Sequence, residues 1–140
     1  MSEGVLRDLI IELFTAISLM AGYPIPDTLP EVHRVPAQTL SEKICRRPCP
    51  VKAFYHPDMG IYIDETLRIA ENVYDRSILL HELVHYVQRT SGKFGAVSGF
   101  CNRKSAEELE AYKIQNLYLA RERAGRRAFY MGAIPCVEPG

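Results

Sequence analysis

His81-Glu82-Leu83-Val84-His85 is a run whose residue types and spacing could do chemistry together. The two histidines stand four residues apart inside an apolar, helix-competent stretch. On a helix their imidazoles leave from one face and can reach one ion. Glu82, next to the first histidine, is placed to work on a water held by that ion, which is the pattern of a zinc site with its general base. A blander reading makes both histidines ordinary helix residues. The flanks weaken it, because Leu79, Leu80, Leu83, Val84 and Val87 would bury this helix and shield the pair.

Two histidines do not complete a catalytic zinc site, where three protein ligands and a water are usual. His33 and His56 lie upstream. No third histidine follows at the spacing of a His-Glu-x-x-His-x-x-Gly-x-x-His site. A carboxylate is therefore expected, and the next helical segment supplies Glu107, Glu108 and Glu110. On a regular helix Glu108, Ala111 and Gln115 share a face. Glu110 lies about 160° around from Glu108, so both cannot point at one ion.

The elements that must position these residues are legible as periodicity. Val5, Leu6, Leu9, Ile10, Leu13, Phe14, Ile17 and Met20 recur at helical spacing, predicting a helix over 3–21 with Ser2 as its N-cap and Gly22 and Pro24 as its stop. Pro24, Pro26 and Pro30 make an extended connector, Val32 to Val35 a short strand, and Thr39 to Arg46 a short helix ended by Pro48. Val51 to His56 and Ile61 to Asp64, joined by Pro57-Asp58-Met59-Gly60, read as a hairpin. Asp64 to Asn72 reads as helical. The histidine helix is expected to be capped by Asp75 and to run to about Thr90. A glycine-containing loop from Lys93 to Arg103 follows, then a helix capped by Ser105 and stopped by Gly125, then an irregular tail.

The composition bounds the function. A chain of 140 residues suits one domain, residues 1–140, with its core at about 51–124. Lys plus Arg and Asp plus Glu each number 17, which gives no general electrostatic case for nucleic acid or an anionic membrane. Arg121, Arg123, Arg126 and Arg127 form a local basic run, read as a solvated helix end. No apolar run is long enough to span a bilayer. Glu3, Arg7, Asp8 and Glu12 interrupt the N-terminal apolar residues, so that stretch does not read as a signal peptide. Cys45, Cys49, Cys101 and Cys136 point instead to an exported, periplasmic or secreted protein with disulfides, and a bridge from Cys101 to Cys45 or Cys49 is expected. Free thiols or a second zinc site are the alternatives. The oligomeric state is left open.

His81-Glu82-Leu83-Val84-His85 followed by Glu108-Leu109-Glu110-Ala111-Tyr112 resembles the gluzincin metallopeptidases over about residues 51–120, closest to small bacterial proteins with a minimal metallopeptidase-like core. In several gluzincin branches the second helix carries Glu-x-x-Ala-Asp or Glu-x-x-Ala-Asn, and its first Glu is the third zinc ligand. The matching residue is Glu108, with Glu110 and Glu107 as runners-up. Tyr112 departs from the pattern's Asp or Asn. The resemblance implies an α+β, zincin-like domain, mostly helical, with a small hairpin or sheet packed on the histidine helix. It also implies Zn2+ as cofactor, a peptide or protein substrate, and His81, His85 and Glu108 as metal ligands. Zinc would lower the pKa of its water to about 7. Glu82 would take the water's proton and pass it to the leaving amine. Tyr112, Tyr86 or Tyr62 could supply an oxyanion donor. Two rival readings are a zinc-bound recognition or regulatory module with little turnover, and a metal-free interaction domain.

Overall fold

The computed structural model describes residues 1–45, 49–129 and 136. The first helix, α1, spans Glu3–Ala21. Its start is fixed by Ser2, whose hydroxyl accepts from the Val5 amide at 3.1 Å, and Gly22 ends it. The helical apolar stripe becomes a buried face of Ile10, Leu13, Phe14 and Ile17. The proline-rich connector leads to β1 (Val32–Val35), and Pro36 then opens α2 (Ala37–Ile44). Arg46 and Pro48, expected at the end of that helix, lie outside the described residues.

The hairpin forms as β2 (Ala53–His56) and β3 (Gly60–Asp64). β3 is central: it pairs antiparallel with β2 and parallel with β1, in the order β1-β3-β2. Alternation along β3 sends Ile61 and Ile63 into the core and Tyr62 to the other face, where it lies between His33 and Phe54 across the strands. Gly60 is required here. It has φ 87°, and a Cβ at this position would stand 2.6 Å from the Glu31 carbonyl oxygen, where β1 begins.

The stretch after β3 is not the expected helix. The Asp64 carboxylate accepts from both the amide and the hydroxyl of Thr66, at 2.8 and 2.7 Å. Such a local turn diverts the backbone from helical pairing. The next helix, α3 (Val73–Ser91), carries both histidines. Its cap is Asn72 rather than Asp75: the Asn72 side chain accepts from the Asp75 amide at 2.9 Å, and Asp75 reaches back to the Arg68 amide at 2.9 Å.

The last helix, α4 (Phe100–Arg121), starts earlier than its expected Ser105 cap, because nothing from Phe100 to Lys104 breaks a helix and Ser105 is accommodated inside it. It also stops before Gly125. Arg123 takes the left-handed turn at φ 54°, and the amides of Arg123 and Ala124 close back on Ala120 and Leu119.

Four helices and a mixed three-stranded sheet make this an α+β fold. α3 is its axis, with α4, α1 and the β2–β3 hairpin packed around it through Leu79, Leu80, Leu83, Val84 and Val87. No helix among the described residues is long and apolar enough to cross a membrane.

All four cysteines are bridged, but not as expected: Cys45 pairs with Cys49, and Cys101 with Cys136. The Ser41 hydroxyl, in contact with the Cys49 carbonyl and amide at 3.2 and 3.3 Å, brings Cys49 back to the end of α2. Cys101 lies in the first turn of α4 instead of a loop, so its bridge ties the C-terminal segment to that helix. Two disulfides fit an oxidising compartment.

Candidate metal centre

Side chains of α3 and α4 meet where the two helices pack. His81 and His85 turn their Nε2 atoms toward one oxygen, Oε1 of Glu108 on α4. It lies 3.5 Å from the His81 nitrogen and in direct contact with the His85 nitrogen. Ligand atoms from these three residues all fall within 4.8 Å of one another. Ala111, fully buried one turn on from Glu108, lets the helices approach closely. His33 and His56 are elsewhere: His33 pairs with Glu31 on the sheet, and His56 accepts from the Asp58 amide in the hairpin turn.

The far side of each imidazole is held by a glutamine. His81 Nδ1 lies 2.9 Å from Gln115 Oε1, and His85 Nδ1 lies 2.8 Å from Gln88 Oε1. The orientation of both amides follows from their other partners. Gln88 Nε2 faces the Glu107 carbonyl at 2.9 Å and the Glu110 carboxylate at 3.2 Å, both of which only accept. Gln115 Nε2 donates to the Ser77 hydroxyl at 3.0 Å, which itself donates to the Tyr74 carbonyl at 2.6 Å. The glutamine oxygens must therefore accept from Nδ1–H on both rings, which leaves both Nε2 lone pairs directed at the Glu108 carboxylate. Lone pair against lone pair is repulsive unless a cation stands among them or a proton sits on Nε2. The donor set and its tautomers fit a divalent metal.

The electrostatics couple the same groups to one another. Burial alone would raise the Glu108 carboxyl, but contact with the two imidazoles holds it well below the ordinary carboxylate range. Burial alone would lower His85. The Glu108 carboxylate and the charge of Glu82 more than offset this and raise it above the usual imidazole value.

The other two glutamates of α4 have different work. Glu107 is buried against Arg89, 3.3 Å away. Glu110 accepts from Tyr23, Lys93 and Gln88, and these bonds outweigh burial and hold it below the ordinary range. Neither reaches the histidines. Glu82 is only 8% exposed and lies outside the ligand group. Its carboxylate has no hydrogen-bond partner among the described residues. With His81 it faces a cavity of about 270 Å³, bordered by Lys52, by Ala53 at the start of the hairpin, and by Tyr112 and Phe129. Of the three candidate tyrosines, Tyr112 is the one at this cavity, its ring 4.4 Å from that of His81. Tyr86 donates to the Thr28 carbonyl at 2.7 Å, and Tyr62 stands in the aromatic row on the sheet.

Sequence reasoning did not single out Gln88 or Ser77. A signal for Gln88 existed, since it stands three residues past His85, within reach along the helix. The Ser77 contact crosses from α3 to α4 and left none.

A family described as "Domain of unknown function (DUF6647)" matches residues 5–130. The chain belongs to that family. The match takes in β1 through α4 entire and nearly all of α1, so both histidines, Glu82 and Glu108 lie inside the family domain. No curated protein and no solved structure matches the chain.

Proposed function

We propose that this protein is a zinc-dependent peptidase of gluzincin type, working in an oxidising, exported compartment. One observation carries the reading. Two Nδ1-protonated imidazoles and one carboxylate converge on a common point, while a second buried carboxylate, Glu82, stands beside them outside the group. Histidine, histidine and glutamate form a ligand set typical of catalytic zinc. When bound, zinc supplies Lewis acidity toward a carbonyl and lowers the pKa of a coordinated water to about 7.

The chain's own residues account for the remainder. Gln88 and Gln115 keep the imidazoles in the ligating tautomer. Glu82, free of competing hydrogen bonds among the described residues and facing the cavity, takes a proton from water and returns it to the leaving amine. Tyr112, which lines the same cavity, is the residue proposed as oxyanion donor. The hairpin border of the cavity offers backbone to an extended substrate.

A second reading, a zinc-bound recognition module with little turnover, draws support from position 112 and its surroundings. Where the gluzincin pattern has Asp or Asn there is Tyr112, and His81 is oriented by the neutral amide of Gln115. Metal analysis together with hydrolysis of a peptide library tests both readings. The peptidase requires about one zinc per chain, lost in His85→Ala, and turnover that disappears in Glu82→Gln. Zinc without turnover leaves the module. Absence of bound metal in protein purified without chelator and supplied with zinc sinks both.

A further inference from the structure

The basic run is exposed to solvent, and three of its four arginines lie beyond the end of the last helix. After Arg121 the chain turns through Arg123 and returns along α4. Asn116 clamps the returning segment by two hydrogen bonds to the Ala128 backbone, at 2.9 and 2.8 Å. The Arg126 guanidinium lies 3.6 Å from the ring centre of Tyr74 on α3. Arg123, Arg126 and Arg127 thereby stand, with Lys113 of α4, around an open cavity of about 810 Å³. Much of its remaining wall is apolar, and it includes the exposed side chains Leu109, Leu117 and Phe129.

Among the described residues no acidic side chain lines this cavity, and none of its four cations is in an ion pair. In a chain of net charge 0, that concentration of one sign is local. Like charges around a concave, partly apolar wall focus their field and favour an anion. The cavity adjoins the smaller one that His81 and Glu82 face, with Tyr112, Ala128 and Phe129 lining both.

We propose that this basic cavity binds acidic side chains of a polypeptide whose neighbouring residues enter the His81–Glu82 cavity. Carboxylates answer Lys113, Arg123 and Arg127, and an aliphatic or aromatic side chain answers Leu109, Leu117 and Phe129. A phosphate backbone would meet the cations but leave the leucines without a partner. The proposal names the substrate class and so rests on the peptidase reading for the fate of the ligand; binding does not depend on it.

The test uses the full-length Glu82→Gln protein and two short labelled peptides, one rich in Glu and Leu, the other with every Glu replaced by Gln. Fluorescence anisotropy at low salt should show the Glu peptide binding about 10-fold tighter, at roughly 2–5-fold for each exposed charge contact. The advantage should shrink as the screening length falls from about 30 Å at 0.01 M salt to about 8 Å at 0.15 M. The triple change Lys113→Gln, Arg123→Gln and Arg127→Gln should abolish the preference. Lys113→Gln and Arg127→Gln singly should each cost about 2–5-fold, and they keep the test decisive if the triple variant does not fold. Equal binding of the two peptides, no binding of either, or a preference that survives these changes overturns the proposal. So does tighter binding of a single-stranded oligonucleotide of equal charge. The unaltered protein separates the two ideas: a Glu peptide that binds but is not cleaved removes the peptidase reading and leaves the acidic site standing.

Discussion

Glu82 and Glu108 lie on facing helices, and their partners separate their roles. Glu108 is committed to the two imidazoles, whereas Glu82 is buried with its carboxylate toward the cavity. Glu82→Gln is therefore expected to keep zinc while turnover falls about 10²–10⁴-fold. Glu108→Ala should lose metal and turnover together. Glu110→Ala should keep the metal, because its partners are Tyr23, Lys93 and Gln88. Metal-to-protein ratios of the three variants decide this, and loss of zinc from Glu110→Ala but not from Glu108→Ala would reverse the assignment. Gln88 and Gln115 act one contact further out. Gln88→Leu and Gln115→Leu should each weaken zinc binding about 10–100-fold, as outer hydrogen bonds of metal ligands commonly do. A competitive chelator titration reads this directly; unchanged affinity in both variants would remove the glutamines from the account.

At the scale of elements, the hairpin and the turn after it place the sheet against α3. Gly60 has both a left-handed φ and the Glu31 carbonyl where a side chain would go. Gly60→Ala should cost about 2 kcal/mol or more, from αL strain plus displacement of β1. Urea denaturation measures it, and an unchanged midpoint would show that the β1–β3 pairing tolerates a shift. Asp64, at the end of β3, belongs to the same unit. Burial would raise its carboxyl, but the Thr66 amide and hydroxyl and the Lys52 ammonium outweigh that and hold it below the ordinary value. A carboxyl whose folded pKa is depressed contributes stability above its unfolded value of about 4, and that contribution is lost as pH falls through the folded value. Below about pH 4 the native protein should lose stability more steeply than Asp64→Asn. Parallel acid-denaturation curves for the two would contradict this.

For the whole molecule, the disulfides and the metal are expected to stabilise different parts. The Cys101–Cys136 bridge spans 35 residues and secures the segment that carries Arg123, Arg126 and Arg127. In the chain-entropy account it contributes about 4 kcal/mol, against about 2 for the short Cys45–Cys49 loop. Replacing Cys101 and Cys136 by serine should lower the melting temperature clearly more than replacing Cys45 and Cys49. Zinc at 100 times its Kd should add about 2.7 kcal/mol to the native protein and nothing to His85→Ala. Thermal melts with and without zinc test both statements.

The sequence by itself determined what local rules govern. α1 is written in its apolar spacing and its Ser2 and Gly22 ends, the hairpin in Pro57-Asp58-Met59-Gly60, and the shared face of His81 and His85 in their four-residue separation. Such features depend on neighbours a few positions away. Where two local signals competed, the reading failed: Asn72 outranked Asp75 as a cap, Ser105 was absorbed into α4, and the Thr66 contacts of Asp64 broke an expected helix. Only the tertiary structure decided what depends on distant partners. It decided which glutamate of α4 meets the histidines and which glutamines orient the rings. It also decided that Cys101 finds Cys136, and that the exposed basic run borders a cavity on α4. Each of these is set by how α4 and the segment beyond it pack on α3, and helix packing is chosen by the fit of whole faces, which no short stretch of sequence contains.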